Sequence, residues 1–137
     1  METTTLQNDL LVHCITATSF PEGVKQAHEQ LHGLVPFDEN RKYFGLSWPA
    51  EDGRIIYKAA AAELHPGEFS THHLETKIIS KGDYLLIDVH DFMKDIPAIG
   101  NAFQQLIYDS RIDPQGFCIE WYMRTDLCRC MIKMKTH

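Results

Sequence analysis

Residues 10–18, LLVHCITAT, form a short apolar-rich run that predicts a first strand. The period then changes. Phe20, Val24, Ala27, Leu31 and Leu34 recur at spacings of four, three, four and three, which is one face of a helix. Ser19 stands as its N-cap, Pro21 and Glu22 fill its first turn, and Gly33 lies near its end. A polar loop, PFDENR, separates this helix from the strand YFGLSW. PAEDG carries the Asp-Gly signal of a hairpin and leads to a long strand, RIIYKAAAAEL.

The second half has the same order. HPGEFSTHHLE is a connector or an irregular strand. KGDYLLIDVHD reads as a turn and a strand with Leu85, Ile87 and Val89 on one face. Residues 95–109 predict a helix with Ile99, Ala102, Phe103, Leu106 and Ile107 as its stripe, Asp95 as cap and Pro97 in its first turn. After the turn SRIDPQG, FCIEWYMR and LCRCMIKM form a hairpin around Thr125-Asp126. The predicted class is α+β: two strand-helix-strand-strand repeats, about residues 10–65 and 75–135, within one domain spanning 1–137.

One strand holds an awkward residue. In GFCIEWYMR, Phe117, Ile119, Trp121 and Met123 alternate onto an apolar face. Cys118, Glu120, Tyr122 and Arg124 take the other, so a carboxylate sits mid-strand, where glutamate is disfavoured. Helices on one face of each half would leave the opposite faces to form a shared concave surface. Glu120 and Tyr122 would look into it, and Tyr57, opposite Ile56, would join them from the first half.

Composition narrows the partners. The 137 residues are 44% apolar and 23% charged, ordinary for a globular domain. A formal net charge of −6 argues against DNA or anionic membrane as partner and suits cationic or neutral small molecules. The start, METTTLQNDLLVHC, lacks a basic segment and a long apolar core, so no signal peptide is expected. No run approaches the ~18 apolar residues of a spanning helix. Cys14, Cys118, Cys128 and Cys130 lie in strand-like segments without a C-x-x-C pair, which reads as buried reduced thiols and a cytoplasmic location.

Other motifs weigh less. His28-Glu29-Gln30-Leu31-His32 is a literal H-E-x-x-H, the zinc protease signature. The same helix buries Ala27 and Leu31, however, which puts both histidines at the flank and Glu29 toward solvent, and no third ligand follows at a recognised spacing. The expectation is an amphipathic helix without metal, and no cofactor is called for. Cys128 and Cys130 share a face with Ile132 and Met134 as core packing. His72-His73 reads as solvated. Asp88 and His90 share a face as two solvated polar residues, with an acid–base pair as the alternative.

YFGLSWPAEDGRIIYKAAAAEL, KGDYLLIDVHDF and IGNAFQQLIYDSRIDPQGFCIEWY together resemble the GyrI-like small-molecule-binding family. This family supplies effector-binding domains to bacterial AraC-type and multidrug-sensing MerR-type transcription regulators and includes stand-alone proteins. The resemblance runs from about residue 10 to the C-terminus, and Cys118-Ile119-Glu120-Trp121-Tyr122 is its most specific piece. It implies a pseudo-symmetric pair of units around a central cleft, with Glu120 at the floor and Tyr122, Tyr57 and, more weakly, Tyr43 and Trp48 as rings facing lipophilic, often cationic ligands. Alternation puts Tyr43 and Trp48 on opposite faces, so only one reaches the cleft; Trp121 falls on the core side.

Three functions follow from the resemblance. The leading one is a stand-alone binding module. The second is a hydrolase of strained-ring or ester-like compounds that uses Glu120 as general base or nucleophile, with Tyr57 or Tyr122 orienting the substrate. The third is a gyrase-inhibitor-like module with a protein partner. Fewer than a dozen residues precede the first strand, so no helix-turn-helix reader head and no direct contact with nucleic acid are expected. The oligomeric state is open.

Overall fold

The computed structural model describes residues 1–136. Along the chain run β1 (Glu2–Leu6), β2 (Leu10–Thr16), α1 (Val24–Leu34), β3 (Tyr43–Pro49), β4 (Ile55–Ala61), β5 (Glu75–Ile79), β6 (Gly82–His90), α2 (Pro97–Ile107), β7 (Cys118–Arg124) and β8 (Leu127–Lys133). The fold is mixed α/β. All eight strands join one antiparallel sheet in the order β1-β6-β8-β7-β3-β4-β2-β5, curled into a half-barrel. Strands β3 and β7 pair at its centre, with Tyr43 opposite Tyr122, Gly45 opposite Glu120 and Ser47 opposite Cys118. In the β3–β4 turn Gly53 takes a φ of 87° and bonds its N–H to the Ala50 carbonyl, as the Asp-Gly signal requires.

Two strands go beyond the expected order. β1 and β5 are the sheet edges, and their sequences ETTTL and ETKII leave most positions exposed or half-buried. Edge strands shield little apolar surface, so they carry little alternation for sequence reading to detect. β5 begins at Glu75, the last residue of the stretch left as connector or irregular strand.

The helix starts also move. α1 begins at Val24 after Gly23, with no side-chain cap, instead of just after Ser19. Residues 20–23 form a turn in which the Ser19 carbonyl accepts the Gly23 N–H. Phe20 therefore leaves the helical stripe and stacks on Tyr57, ring centroids 5.8 Å apart. α2 begins at Pro97 with Ile96, not Asp95, as its N-cap; the Asp95 carboxylate makes no capping bond, and only its carbonyl accepts the Ala98 N–H.

The arrangement of the two sheet faces overturns one expectation. Both helices lie on the face that carries Glu120, not on the opposite one. α1 sets Ala27 and Leu31 against Ala59, Ala61 and Tyr43. α2 sets Ala102, Phe103 and Leu106 against Leu85, Cys128, Cys130 and Ile132. The other face, with Phe44, Leu46, Leu86, Ile119 and Met131, is buried by the sheet's own curl. Each large side chain so buried contributes about 1.5–3 kcal/mol. A curled sheet closes one face on itself, so the helices are free to stand apart on the other and wall a cavity.

Smaller expectations resolve in the same frame. Asp88 receives a two-pronged hydrogen bond from Arg129 (2.8 and 3.1 Å), while His90 is exposed, so the two form no acid–base pair. Cys14, Cys128 and Cys130 are buried, Cys118 is half-buried, and all four are free thiols. A register shift between Tyr122 and Arg124 breaks the alternation, and Met123 lines the cavity instead of following Trp121 onto the other face.

Candidate functional site

Between α1 and α2, over the centre of the sheet, lies a cavity of about 1440 Å³. Typical small-molecule pockets span about 300–1,000 Å³, so a ligand of several rings fits. Its floor is formed by Tyr57 of β4, Tyr43 and Ser47 of β3, and Cys118, Glu120 and Tyr122 of β7.

Glu120 is 9% exposed. Tyr57 donates to its Oε1 at 3.1 Å, and Tyr122 donates to the same oxygen. No hydrogen bond reaches Oε2 among the described residues, yet no buried side-chain oxygen there lacks a partner. Oε2 is therefore the atom open to the cavity. Burial pushes the Glu120 carboxyl above its usual range, and the two tyrosine hydrogen bonds work against that rise. Tyr57 and Tyr122 are pushed up in turn, first by burial and then by the Glu120 charge. Among the described residues no lysine or arginine pairs with this carboxylate.

Gly45 makes the cluster possible. It faces Glu120 across β3–β7. A Cβ built there would lie 2.7 Å from Tyr57 Cζ and 2.9 Å from Glu120 Oε1, and nearer still to the Tyr57 hydroxyl. Only a glycine lets the Tyr57 ring cross β3 to reach the carboxylate. An isolated glycine inside YFGLSW was the available signal, since glycine in a strand often marks a close approach.

The HEQLH helix reaches the Glu120 cluster through its first histidine. His28 Nε2 lies 2.8 Å from the Tyr57 hydroxyl, and its ring meets Tyr122 edge-on with centroids 5.3 Å apart. Burial, and then the neighbouring His32, lower its pKa to about 4, so it is neutral at ordinary pH. His32 packs on Tyr43 (4.7 Å) and Phe37 (5.6 Å). Glu29 is exposed and pairs with Lys25 at 3.9 Å. Among the described residues no group of three His, Cys, Asp or Glu side chains is arranged to hold a metal ion. Dialysis against a strong chelator is accordingly expected to leave the melting temperature unchanged. A loss of several degrees, restored by zinc and absent in His28→Ala, would overturn this.

Tyr43 reaches the cavity and is fixed from behind. Its hydroxyl takes hydrogen bonds from Arg41 and from the Asp38 N–H, both 3.2 Å. Arg41 is in turn held by both oxygens of Glu68 (2.7 and 2.8 Å), which draws the Glu68 carboxyl down to about 2. Trp48 lies on the other face, against Phe117 (6.1 Å) and under Lys77 Nζ (4.6 Å), and does not line the cavity. Phe20, Phe92 and Phe103 complete the apolar walls. Their positions depend on where the loops and α2 dock, which no local pattern reveals.

No family model matches this chain, and no curated protein matches it. Solved structures do. An integron cassette protein from the mobile metagenome of Vibrio cholerae superposes with a TM-score of 0.69 at 12% identity, covering 98% of this chain and 95% of that one. A protein proposed to act in bacterial transcription regulation, from Staphylococcus aureus MU50, gives 0.67 at 13% identity, with 98% and 97% covered. SAV2435 bound to tetraphenylphosphonium gives 0.70 at 13% identity, with 98% and 93% covered. At these identities the likeness is one of fold. This chain shares its fold with a protein solved bound to tetraphenylphosphonium.

Proposed function

We propose that the chain is a small-molecule-binding unit of the GyrI-like kind and takes a lipophilic organic cation in the cavity, with Glu120 as its counter-ion. One observation carries this: a nine-tenths-buried carboxylate with a free oxygen facing an aromatic-walled cavity and no basic side chain paired to it. An uncompensated buried charge is costly. A cation about 4 Å away would gain ~4 kcal/mol at an effective dielectric of ~20, before desolvation. Each ring facing it adds ~0.5–2 kcal/mol. Tyr122, Tyr57 and Tyr43 are the rings in place. The tetraphenylphosphonium bound by SAV2435 supports the ligand class, and the net charge of −6 agrees in sign.

The sheet order supports the repeat reading. Exchanging β1 with β5, β2 with β6, β3 with β7 and β4 with β8 reverses the order and leaves it unchanged, with the cavity at the centre. In that reading each half lends its first strand to the other's edge, and the whole chain is one binding unit. Four free thiols favour a cytoplasmic setting, and no helix among the described residues is long and apolar enough to cross a membrane.

Calorimetric titration tests the reading. Tetraphenylphosphonium is expected to bind saturably, one per chain, and neutral triphenylphosphine oxide much more weakly. Equal affinity for the two would refute the counter-ion role. Consumption of an ester or strained-ring compound, lost in Glu120→Gln, would favour a hydrolase, for which the free Oε2 beside two tyrosine hydroxyls is the supporting geometry.

A further inference from the structure

The cluster under the cavity holds more acceptors than its two hydroxyl protons can serve. Tyr57 Oη lies 2.8 Å from His28 Nε2, 3.1 Å from Glu120 Oε1 and 3.3 Å from Tyr122 Oη, and Tyr122 also reaches Glu120 Oε1. Two proton orders are possible. If His28 offers a lone pair, Tyr57 turns its proton away from the carboxylate. If His28 carries its proton on Nε2, both tyrosines donate to Glu120. Hydrogen bonds to a carboxylate are roughly twice as strong as neutral ones, so a buried Glu120 anion favours the second order.

We infer that His28 is a positioning residue: by donating from Nε2 to Tyr57 it commits both tyrosine protons to Glu120 and sets the pH above which the site accepts a cation. The inference deepens the cation-binding reading and rests on it for its functional part. Burial keeps the imidazole neutral to about pH 4, so it holds one proton over the whole working range. His28 touches the carboxylate only through Tyr57, yet it sets how firmly that tyrosine holds the anion.

Other titratable and charged groups surround the cluster. Cys118 shares β7 with Glu120, and β8 brings Cys130 and Cys128 opposite Glu120 and Tyr122. His32 and Lys25 come from α1, Glu39 and Arg41 from the segment before β3, and Arg124 and Asp126 from the β7–β8 hairpin. Burial raises the Cys118 thiol to about 11, and the neighbouring Cys130 side chain, followed by burial, raises Cys128, so both are neutral here. Arg41 is committed to Glu68. None of these donates to Glu120 among the described residues.

Loss of His28 has a specific consequence. Without its donor, Tyr57 Oη loses the accepted hydrogen bond that polarises its own O–H. Its donation to Glu120 weakens, and the carboxyl gains a proton more easily. Tetraphenylphosphonium does not titrate, so the pH dependence of its binding reports the protein alone.

The test measures tetraphenylphosphonium affinity from acid to neutral pH in wild type, His28→Leu and His28→Gln, with the His28 tautomer read by nitrogen-15 NMR in wild type. The expected result is a binding midpoint higher by about half a pH unit in His28→Leu. His28→Gln, whose amide can donate to Tyr57, should coincide with wild type, and the NMR should show the Nε2–H form. A His28→Leu curve weakened equally at every pH, its midpoint unmoved, would reduce the residue to packing and overturn the inference. So would an Nδ1–H tautomer, which decides the matter even if the leucine variant fails to fold. Absence of any tetraphenylphosphonium binding by wild type would refute the cation-binding reading, while the tautomer still judges this one.

Discussion

Gly45→Ala is expected to cost about 3–5 kcal/mol, lower the melting temperature by roughly 10 °C and weaken tetraphenylphosphonium binding more than about tenfold. The new methyl would overlap the Tyr57 hydroxyl and sit 2.7 Å from Tyr57 Cζ. Neither strand has room to move, since β3 is paired on both sides. The Tyr57 ring must lift, which breaks its bonds to Glu120 and His28. Overpacking accounts for about 1–3 kcal/mol, and buried hydrogen-bonding groups left unpaired for about 1–3 kcal/mol each. A double-mutant cycle isolates the cause. In a Tyr57→Leu background the alanine should cost less than about 1 kcal/mol, because the ring it strikes is gone. A cost unchanged in that background would show that strand propensity, not the ring's passage over Gly45, explains the glycine.

Glu120→Gln should act in the opposite sense on stability and strongly on binding. Glutamine keeps the size and still accepts from Tyr57 and Tyr122, but it carries no charge. Cation affinity should fall by about 1–3 kcal/mol, roughly 5- to 150-fold, while triphenylphosphine oxide hardly changes. Melting temperature at neutral pH should be equal or higher, because the empty site no longer buries an uncompensated anion. The pH profile checks the sign. The folded carboxyl has a raised pKa, so the folded state holds a proton that the unfolded chain has released. The stability this contributes is fully present below the unfolded value and is lost as pH rises through the folded one. Wild type should therefore lose stability relative to the glutamine variant as pH rises across that window. A large drop in the variant's melting temperature would mark Glu120 as a structural partner of some cation and remove the basis for the binding reading.

How much of this was legible beforehand varies by residue. The alternation of FCIEWYMR placed Glu120 and Tyr122 together and Trp121 on the other side, as the structure has them. Alternation offered Tyr57 to the cavity and split Tyr43 from Trp48 without deciding between those two; the structure turns Tyr43 in and Trp48 away. Met123 did not obey, because a register shift after Tyr122 changes the parity and no residue type announces it. HEQLH drew attention for a spacing that suits zinc. What that spacing delivers is a pair of imidazoles one turn apart, both turned to the cavity, with His28 reaching a tyrosine 29 residues on.

By itself the sequence determined the elements that bury apolar stripes: two helices, six inner strands, and, up to the shift after Tyr122, the side of each strand on which its residues fall. Those properties follow from periods of 2 and 3.6, which adjacent residues fix among themselves. It did not determine β1 and β5, whose pairing depends on partners some 80 and 65 residues away and on little burial of their own. Nor did it determine which face the helices cover. That choice belongs to the curl of the whole sheet, which closes the Phe44–Ile119 face on itself and leaves the Glu120 face to α1 and α2. The cavity, the passage of Tyr57 over Gly45 and the donor from His28 exist only once β3, β4, β7 and α1 are in place together. They are contacts between distant segments, and only tertiary packing sets their distances.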